Sequence, residues 1–379
     1  MKLSSRLFSL LLALGVFSQA AGSFSPPNLT PDDADDSCQL VPDGTIPNFY
    51  IGFALGYAVK GQESWWRENP LYAPYDRDVQ GWWDNAVVEA ERSGVHFVAP
   101  VTRGCNPCGQ INAGDACPRE LTKLVEAMRR RPIAPKAALF VDTASFPVDK
   151  NLCRRGEFSL NPPYDFGDAL GAGEGGWDYF WKHNIEIFYD VIPQDLLFTI
   201  HGQPVIYFWS VAPGLGFANH RGNLKRFLEF IRASVRGKVG AEPFIVLDQT
   251  WVSLDPTITA RQAEGVNDWF NPLVSACTIR EWGGKKFAVS VPGFSDSALS
   301  EYNRRFSRDG GKTLKDCLAR IDSEKTFLTL LEGLTNVEES AGFYRSLHPD
   351  WSYPEQYLDI VGALVEKNTR WVYRRPCLK

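Results

Sequence analysis

Histidine is scarce in this sequence, five among 379 residues and in no repeated ligand spacing, so no metal centre can be read from it. Gly-x-Ser-x-Gly is absent, which disfavours a nucleophilic serine on a strand-to-helix elbow. Charge is nearly balanced, with a net −5, and the one basic run, Arg129 to Arg131, reads as the solvated end of a helix. Nucleic acid and anionic lipid therefore meet no clustered Lys and Arg. Past the amino-terminal region no apolar run reaches the roughly 18 residues that a membrane span needs. The segment after the first predicted strand, GYAVKGQESWWRENP, holds neither Gly-x-Gly-x-x-Gly nor a P-loop lysine, and this counts against a doubly wound nucleotide-binding sheet.

What is present at the front is a secretory pattern. Lys2 and Arg6 precede the apolar run LFSLLLALGVF, and the small residues Ala20, Ala21 and Gly22 follow it. Residues 1–21 are read as a signal peptide and 22–45, rich in Pro, Ser and Asp, as a linker that carries the sequon at Asn28 and the solvated acidic run Asp32 to Asp36. The rest, 46–379, is expected to be one secreted, extracellular domain. Its compartment fits eight cysteines, Cys38, Cys105, Cys108, Cys117, Cys153, Cys277, Cys317 and Cys377, for which disulfides are the default reading. Cys105 and Cys108 sit in the polar segment RGCNPCGQINAGDACP; a redox pair or zinc knuckle there is the sharper alternative.

From residue 46 onward, short apolar runs alternate with amphipathic stretches, the pattern of βα units around a parallel sheet. The predicted strands are 49–57, 94–101, 136–142, 203–209, 243–249, 286–293 and 326–333, with a weak eighth near GVNDWFNP (265–272). Helical periodicity marks WWDNAVVEAERS, ELTKLVEAMRRR, WDYFWKHNIEIFYDVI, NLKRFLEFIRASVR, 314–321 and PEQYLDIVGALVEK. The expected fold is a single (β/α)8 TIM barrel with disulfide-stapled loops.

In such a barrel, chemistry gathers at the carboxyl ends of the strands. Three predicted strands end there in an acid: Asp142, Asp248 and Glu332. An Asp in that position also serves as a helix cap, a role for which Glu is poorly suited. Paired carboxyl groups need no cofactor to hydrolyse a glycosidic bond, since one donates a proton while the other acts as base or nucleophile. The 12 tryptophans favour a sugar ligand, whose ring faces stack on indole. Tyr57, Trp65, Trp66, Trp209 and Trp251 fall at strand ends and are expected to line a substrate cleft. Trp82, Trp83, Trp177, Trp181 and Trp269 are expected to pack, and His183 and His201 to be structural. Glu338 is a further candidate substrate contact, although it and Glu339 also read as acids opening a helix. Asp296 either binds a sugar hydroxyl or caps ALSEYNRRF.

Taken in order, HGQPVIYFWS, FIVLDQTW, FAVSVPGFSDS and LLEGLTNVEES resemble the secreted barrel glycosidases related to glycoside hydrolase families 99 and 71, which include endo-mannosidases and fungal α-1,3-glucanases. The chain resembles still more closely a group of microbial secreted proteins classed as a domain of unknown function. The families' Pro-Gly-aromatic-Asp-Asp segment corresponds to VPGFSDS with Asp296, and their Asn-Glu-Trp-x-Glu-Gly-Thr strand end to LTLLEGLT. The second glutamate of that motif falls on Glu332, so the resemblance implies a catalytic role for it; at the first stands Thr329. The expectation is a monomeric secreted glycoside hydrolase without cofactor, acting on an extracellular polysaccharide or glycan, with Glu332 as acid or base and Asp248 or Asp142 as partner. A carbohydrate-binding barrel that has lost its catalytic pair is the alternative, and disulfide exchange at Cys105 and Cys108 a third.

Overall fold

The computed structural model describes residues 49–56, 69–72, 77–102, 118–157, 159–167, 176–212, 214–220, 222–269, 275–295, 305–337 and 339–368. Tyr57, Trp65, Trp66, Asp296 and Glu338 lie outside these residues, as do Asn28, the leader and linker, and Cys38, Cys105, Cys108, Cys117 and Cys377.

Nine strands form the barrel: β1 (Tyr50–Leu55), β2 (Phe97–Thr102), β3 (Leu139–Val141), β4 (Gln203–Phe208), β5 (Phe244–Asp248), β6 (Gly265–Asn267), β7 (Cys277–Trp282), β8 (Lys285–Ser290) and β9 (Leu328–Leu331). Backbone ladders run β6-β5-β4-β3-β2-β1-β9-β8-β7, and every pairing is parallel except β7 with β8. The eight parallel strands are those expected from the sequence, including the weak one at 265–267. The seam between β6 and β7 is crossed by side chains. Thr278 Oγ1 donates to the Asp268 carbonyl at 2.7 Å, Trp282 Nε1 to the Ala263 carbonyl at 2.9 Å, and Arg280 Nη2 to the Asp268 carboxylate at 2.9 Å.

β7 is the element the sequence reading missed. Its signal is Gly283-Gly284 between two runs of alternating residues, with φ of 56° and 76° at the two glycines. Those are the left-handed values a two-residue hairpin turn demands.

Alternation along each strand sorts side chains between two cores. Tyr50, Phe97, Phe140, Tyr207, Phe244, Phe287, Leu328 and Leu330 fill the lumen. Ile51, Phe53, Val98, Leu139, Ile206, Ile245 and Leu331 face outward into the helical layer. That layer comprises α1 (Val79–Arg92), α2 (Pro118–Arg129), α3 (Ser145–Arg155), α4 (Trp177–Phe180) and α5 (Ile187–Val191) on either side of a π turn, α6 (Leu224–Val239), α7 (Gln249–Leu254), α8 (Lys312–Ser323) and α9 (Gln356–Asn368). α1 starts where Asp78 accepts a hydrogen bond from the Gly81 amide at 2.8 Å, and it buries Trp82 and Trp83 completely. Complete burial of a large apolar side chain contributes on the order of 1.5–3 kcal/mol, so this helix face is a principal fastening of the outer layer.

Cys277 and Cys317 form a disulfide that ties β7 to α8, and Cys153 on α3 is also disulfide-bonded. No helix of the described residues is long and apolar enough to cross a membrane. His183 packs on Tyr179 with ring centroids 4.2 Å apart, and His201 occupies an exposed turn with φ of 53°.

Candidate active site

The lumen alternation, continued past the strand ends, puts chemistry-bearing side chains at the barrel mouth. In β3 it runs Ala138, Phe140, then Asp142; in β4, Val205, Tyr207, then Trp209; in β5, Phe244, Val246, then Asp248; in β9, Leu328, Leu330, then Glu332. All three sequence-predicted acids thus share the lumen-facing register. β4 stands across the ring from β9, so Trp209 and Glu332 occupy opposite walls.

Glu332 is 5% exposed. Its Oε1 accepts from Asn336 Nδ2 at 2.9 Å, and its Oε2 has no hydrogen-bond partner among the described residues. Burial raises its pKa well above the usual carboxyl value, and the negative charge of Glu339 raises it further, against the opposing Asn336 bond.

Glu339 arrives by a fold-back of the chain. Gly333 lets Asn336 approach so closely that an added Cβ would stand 2.4 Å from the Asn336 Cβ. The turn is pinned by Asn336 N–H to the Gly333 carbonyl at 2.9 Å and closed by Phe343 N–H to the Leu334 carbonyl at 3.0 Å. Within this loop Asn336 Nδ2 also donates to Glu339 Oε2 at 2.9 Å. One amide nitrogen therefore serves two carboxylates, and their oxygens lie no farther apart than twice that bond. The expected helix start at Glu339 is not found: residues 339–355 hold turns and bends, and α9 begins only at Gln356. Two features explain this. Ser340 has φ of 49°, incompatible with a helical turn, and the loop's backbone groups bond back to residues 334–336.

Asp248 is 4% exposed, and its oxygens are engaged. Oδ1 accepts from the Thr250 amide at 3.0 Å and the Thr250 hydroxyl at 2.6 Å; Oδ2 accepts from the Trp269 amide at 2.9 Å. It caps α7 and anchors the chain after β6. Burial raises its pKa, opposed by the Thr250 and Trp269 bonds, with the Asp268 charge adding to the rise. Asp142 is partly exposed; its amide donates to the Thr102 carbonyl at 2.8 Å, and its own carbonyl receives the Ser145 hydroxyl at 2.7 Å.

The aromatic expectations divide. Trp251 is fully buried on the outer side of the barrel, its ring against Phe166, Phe208 and Phe227, and its Nε1 donates to the Trp209 carbonyl at 2.5 Å. It has no face left for a ligand, so its expected substrate contact is replaced by a packing role. Trp269 packs as expected, partly buried against the lumen cluster beside Trp209, with its ring centroid 4.7 Å from that of Phe140. Thr329 points outward, fully buried, with its hydroxyl 3.2 Å from that of Thr326; a carboxylate at that position would not reach the mouth.

The architecture has known counterparts. A solved structure described as a glycoside hydrolase-like protein aligns with a TM-score of 0.56 at 13% identity, covering 89% of this chain and 99% of its own. The GH99 endo-alpha-mannosidase from Bacteroides thetaiotaomicron aligns at 0.51 with 10% identity, over 85% of this chain and 98% of its own. At such identities the likeness establishes the fold alone, a TIM barrel. No curated protein matches the sequence. The profile of a family described as a domain of unknown function (DUF5010) matches residues 51–371, and the chain belongs to that family.

Proposed function

We propose that the protein is a secreted glycoside hydrolase acting on an extracellular polysaccharide or glycan, with Glu332 as general acid and Glu339 as the charged partner. The observation that carries this reading is the shared Asn336 amide, which brings the two carboxyl groups together at the end of a barrel strand. Their environments differ in the way the reaction requires. Glu332 is buried and has its pKa raised, so it holds a proton that can pass to the leaving oxygen, while Glu339 is half-buried. With both bonds at 2.9 Å, the separation of the acceptor oxygens falls below the roughly 6.5–9.5 Å of inverting pairs and favours a retaining outcome. Glu339 thus takes the place first expected for Asp248, whose oxygens are occupied, or Asp142.

Trp209 and Trp269 form the opposite wall, where a pyranose ring stacked on indole would present its glycosidic bond toward β9. The disulfides support an oxidising, extracellular compartment. The second reading is a carbohydrate-binding barrel without catalysis, which keeps the aromatic wall of Trp209 and Trp269 and needs neither carboxylate. Incubating the protein, Glu332→Gln and Glu339→Gln with a panel of polysaccharides and following reducing ends separates the two. Release by the native chain alone supports hydrolysis. Binding without release by all three supports the lectin reading.

A further inference from the structure

We propose that Arg308 is a positioning residue that holds Glu339 against Glu332, a role that rests on reading this pair as the reacting carboxylates. Arg308 lies between the eighth strand and α8, 4% exposed, with its guanidinium 4.2 Å from the Trp351 ring centroid and 4.6 Å from that of Tyr357. Its Nη2 donates to the carbonyls of Ser340 and Gly342, both at 3.0 Å. These carbonyls belong to residues one and three positions after Glu339.

The location of the clamp matters more than its strength. Ser340 has φ of 49°, a left-handed conformation that is strained for a non-glycine residue. That turn bends the chain so that Glu339 comes back onto Asn336 instead of running on toward Phe343. Arg308 bonds the carbonyl of the strained residue itself. On the other side the Ser295 amide donates to the Glu339 carbonyl at 2.7 Å, so the loop that carries the carboxylate is gripped from two segments at once.

Arginine suits this position chemically. Both bonds leave one nitrogen, Nη2, while the guanidinium lies beside two rings set at 87° to each other, and it stays charged at every working pH, so the clamp does not loosen while the carboxylates titrate. Lysine offers a point charge without the delocalised plane that lies against Trp351 and Tyr357. Gly293 confirms how tightly the side chain is fitted, since a Cβ there would stand 2.4 Å from Arg308 Cγ.

The experiment follows the Glu332 carboxyl by carbon NMR in the full chain labelled with carboxyl-carbon-13 glutamate, using Glu332→Gln for assignment. Titration midpoints are compared in the native protein, Glu339→Gln and Arg308→Lys, with thermal melting of each. Removing the Glu339 charge is expected to lower the midpoint, and Arg308→Lys to lower it by at least half as much, because Glu339 is then no longer held in place. A merely structural arginine would shift melting and leave the midpoint at its native value; that result overturns the proposal while the Glu339→Gln shift upholds the pair. A native midpoint in Glu339→Gln removes the pair and the role of Arg308 together. Should Arg308→Lys fail to fold, Arg308→Ala folded in ethylguanidinium replaces it. A midpoint that follows the ethylguanidinium concentration supports the clamp, and one that ignores it overturns the clamp.

Discussion

Glu332 and Glu339 accept hydrogen bonds from the same nitrogen of Asn336, each at 2.9 Å. Because one donor amide stands between two acids, each carboxylate feels the other's charge while neither is driven off. The effect falls unequally, since Glu332 is the deeper of the two. Its pKa is raised first by burial and then by the Glu339 charge, the division of labour an acid and a base need within one site.

If this pair does the chemistry, Glu339→Gln should cut the rate of reducing-end release at least about 100-fold, the lower range for losing a positioned proton-transfer group or nucleophile. Asn336→Ala should also slow release, because it removes the amide that holds both carboxylates. Melting temperature should change little in Glu339→Gln, since that side chain is half-buried. Equal activity of Glu339→Gln and the native chain would return the role to Asp142.

The same burial has a stability consequence with a definite sign. A carboxyl whose folded pKa is raised contributes fully below its unfolded pKa and loses that contribution as pH rises through the folded value. Glu332→Gln keeps the neutral shape and cannot ionise. The variant should therefore melt close to the native protein at pH 4 and progressively above it as pH rises toward 8. A melting difference independent of pH between 4 and 8 would contradict a buried, proton-holding Glu332.

The tryptophans test ligand contact against packing. Trp251 is fully buried among Phe166, Phe208 and Phe227, so Trp251→Ala should cost about 3–5 kcal/mol of stability. Trp269→Ala leaves the outer core intact and should weaken substrate binding about 10-fold, the effect of roughly 1.4 kcal/mol of stacking. Calorimetry reads the first and a KM or binding isotherm the second.

Legibility in the sequence followed the reach of each signal. Strand ends such as Asp142, Asp248 and Glu332 are local: alternating apolar residues end in an acid, and the lumen register follows from parity alone. Trp251 falls in the outer core and not in the cleft, because parity cannot show which residues the neighbouring layer covers. Trp251 opens α7 and turns outward onto α6, whereas Trp269 follows β6 in lumen register. Glu339 was read as a helix start because an acid pair after a turn is a common helix signature. What excludes the helix is a positive φ at Ser340 and a clamp from Arg308, some thirty residues earlier in sequence, and neither leaves a short-range trace. Gly333 and Asn336 are the only local hint of the fold-back, as turn-forming types three residues apart.

Two buried groups far from the mouth supply a last test. His96 at the entry to β2 accepts from the Ile51 amide through Nδ1 at 3.2 Å, and burial lowers its pKa to about 4. Glu89 on α1 is fully buried beside Tyr72 and Arg345; burial raises its pKa to about 7 although the Arg345 charge opposes the rise. Between the unfolded pKa values and these folded ones, their effects on stability have opposite signs. As pH falls from 6.5 toward 4 the unfolded chain takes up a proton that folded His96 refuses, so stability is lost. As pH rises from 4.5 toward 7 the unfolded chain gives up a proton that folded Glu89 keeps, so stability is lost in the other direction. Each slope is about 1.4 kcal/mol per pH unit, and across pH 4.5 to 6.5 the two cancel. Asparagine keeps an acceptor near the position of Nδ1, so His96→Asn should expose the Glu89 slope, with stability falling faster than in the native chain as pH rises. Glu89→Gln should expose the His96 slope, with stability shifting toward a rise over the same interval. Denaturant melts of the three proteins at half-unit pH steps measure this directly, and parallel curves would show that neither group is held in its folded charge state by burial.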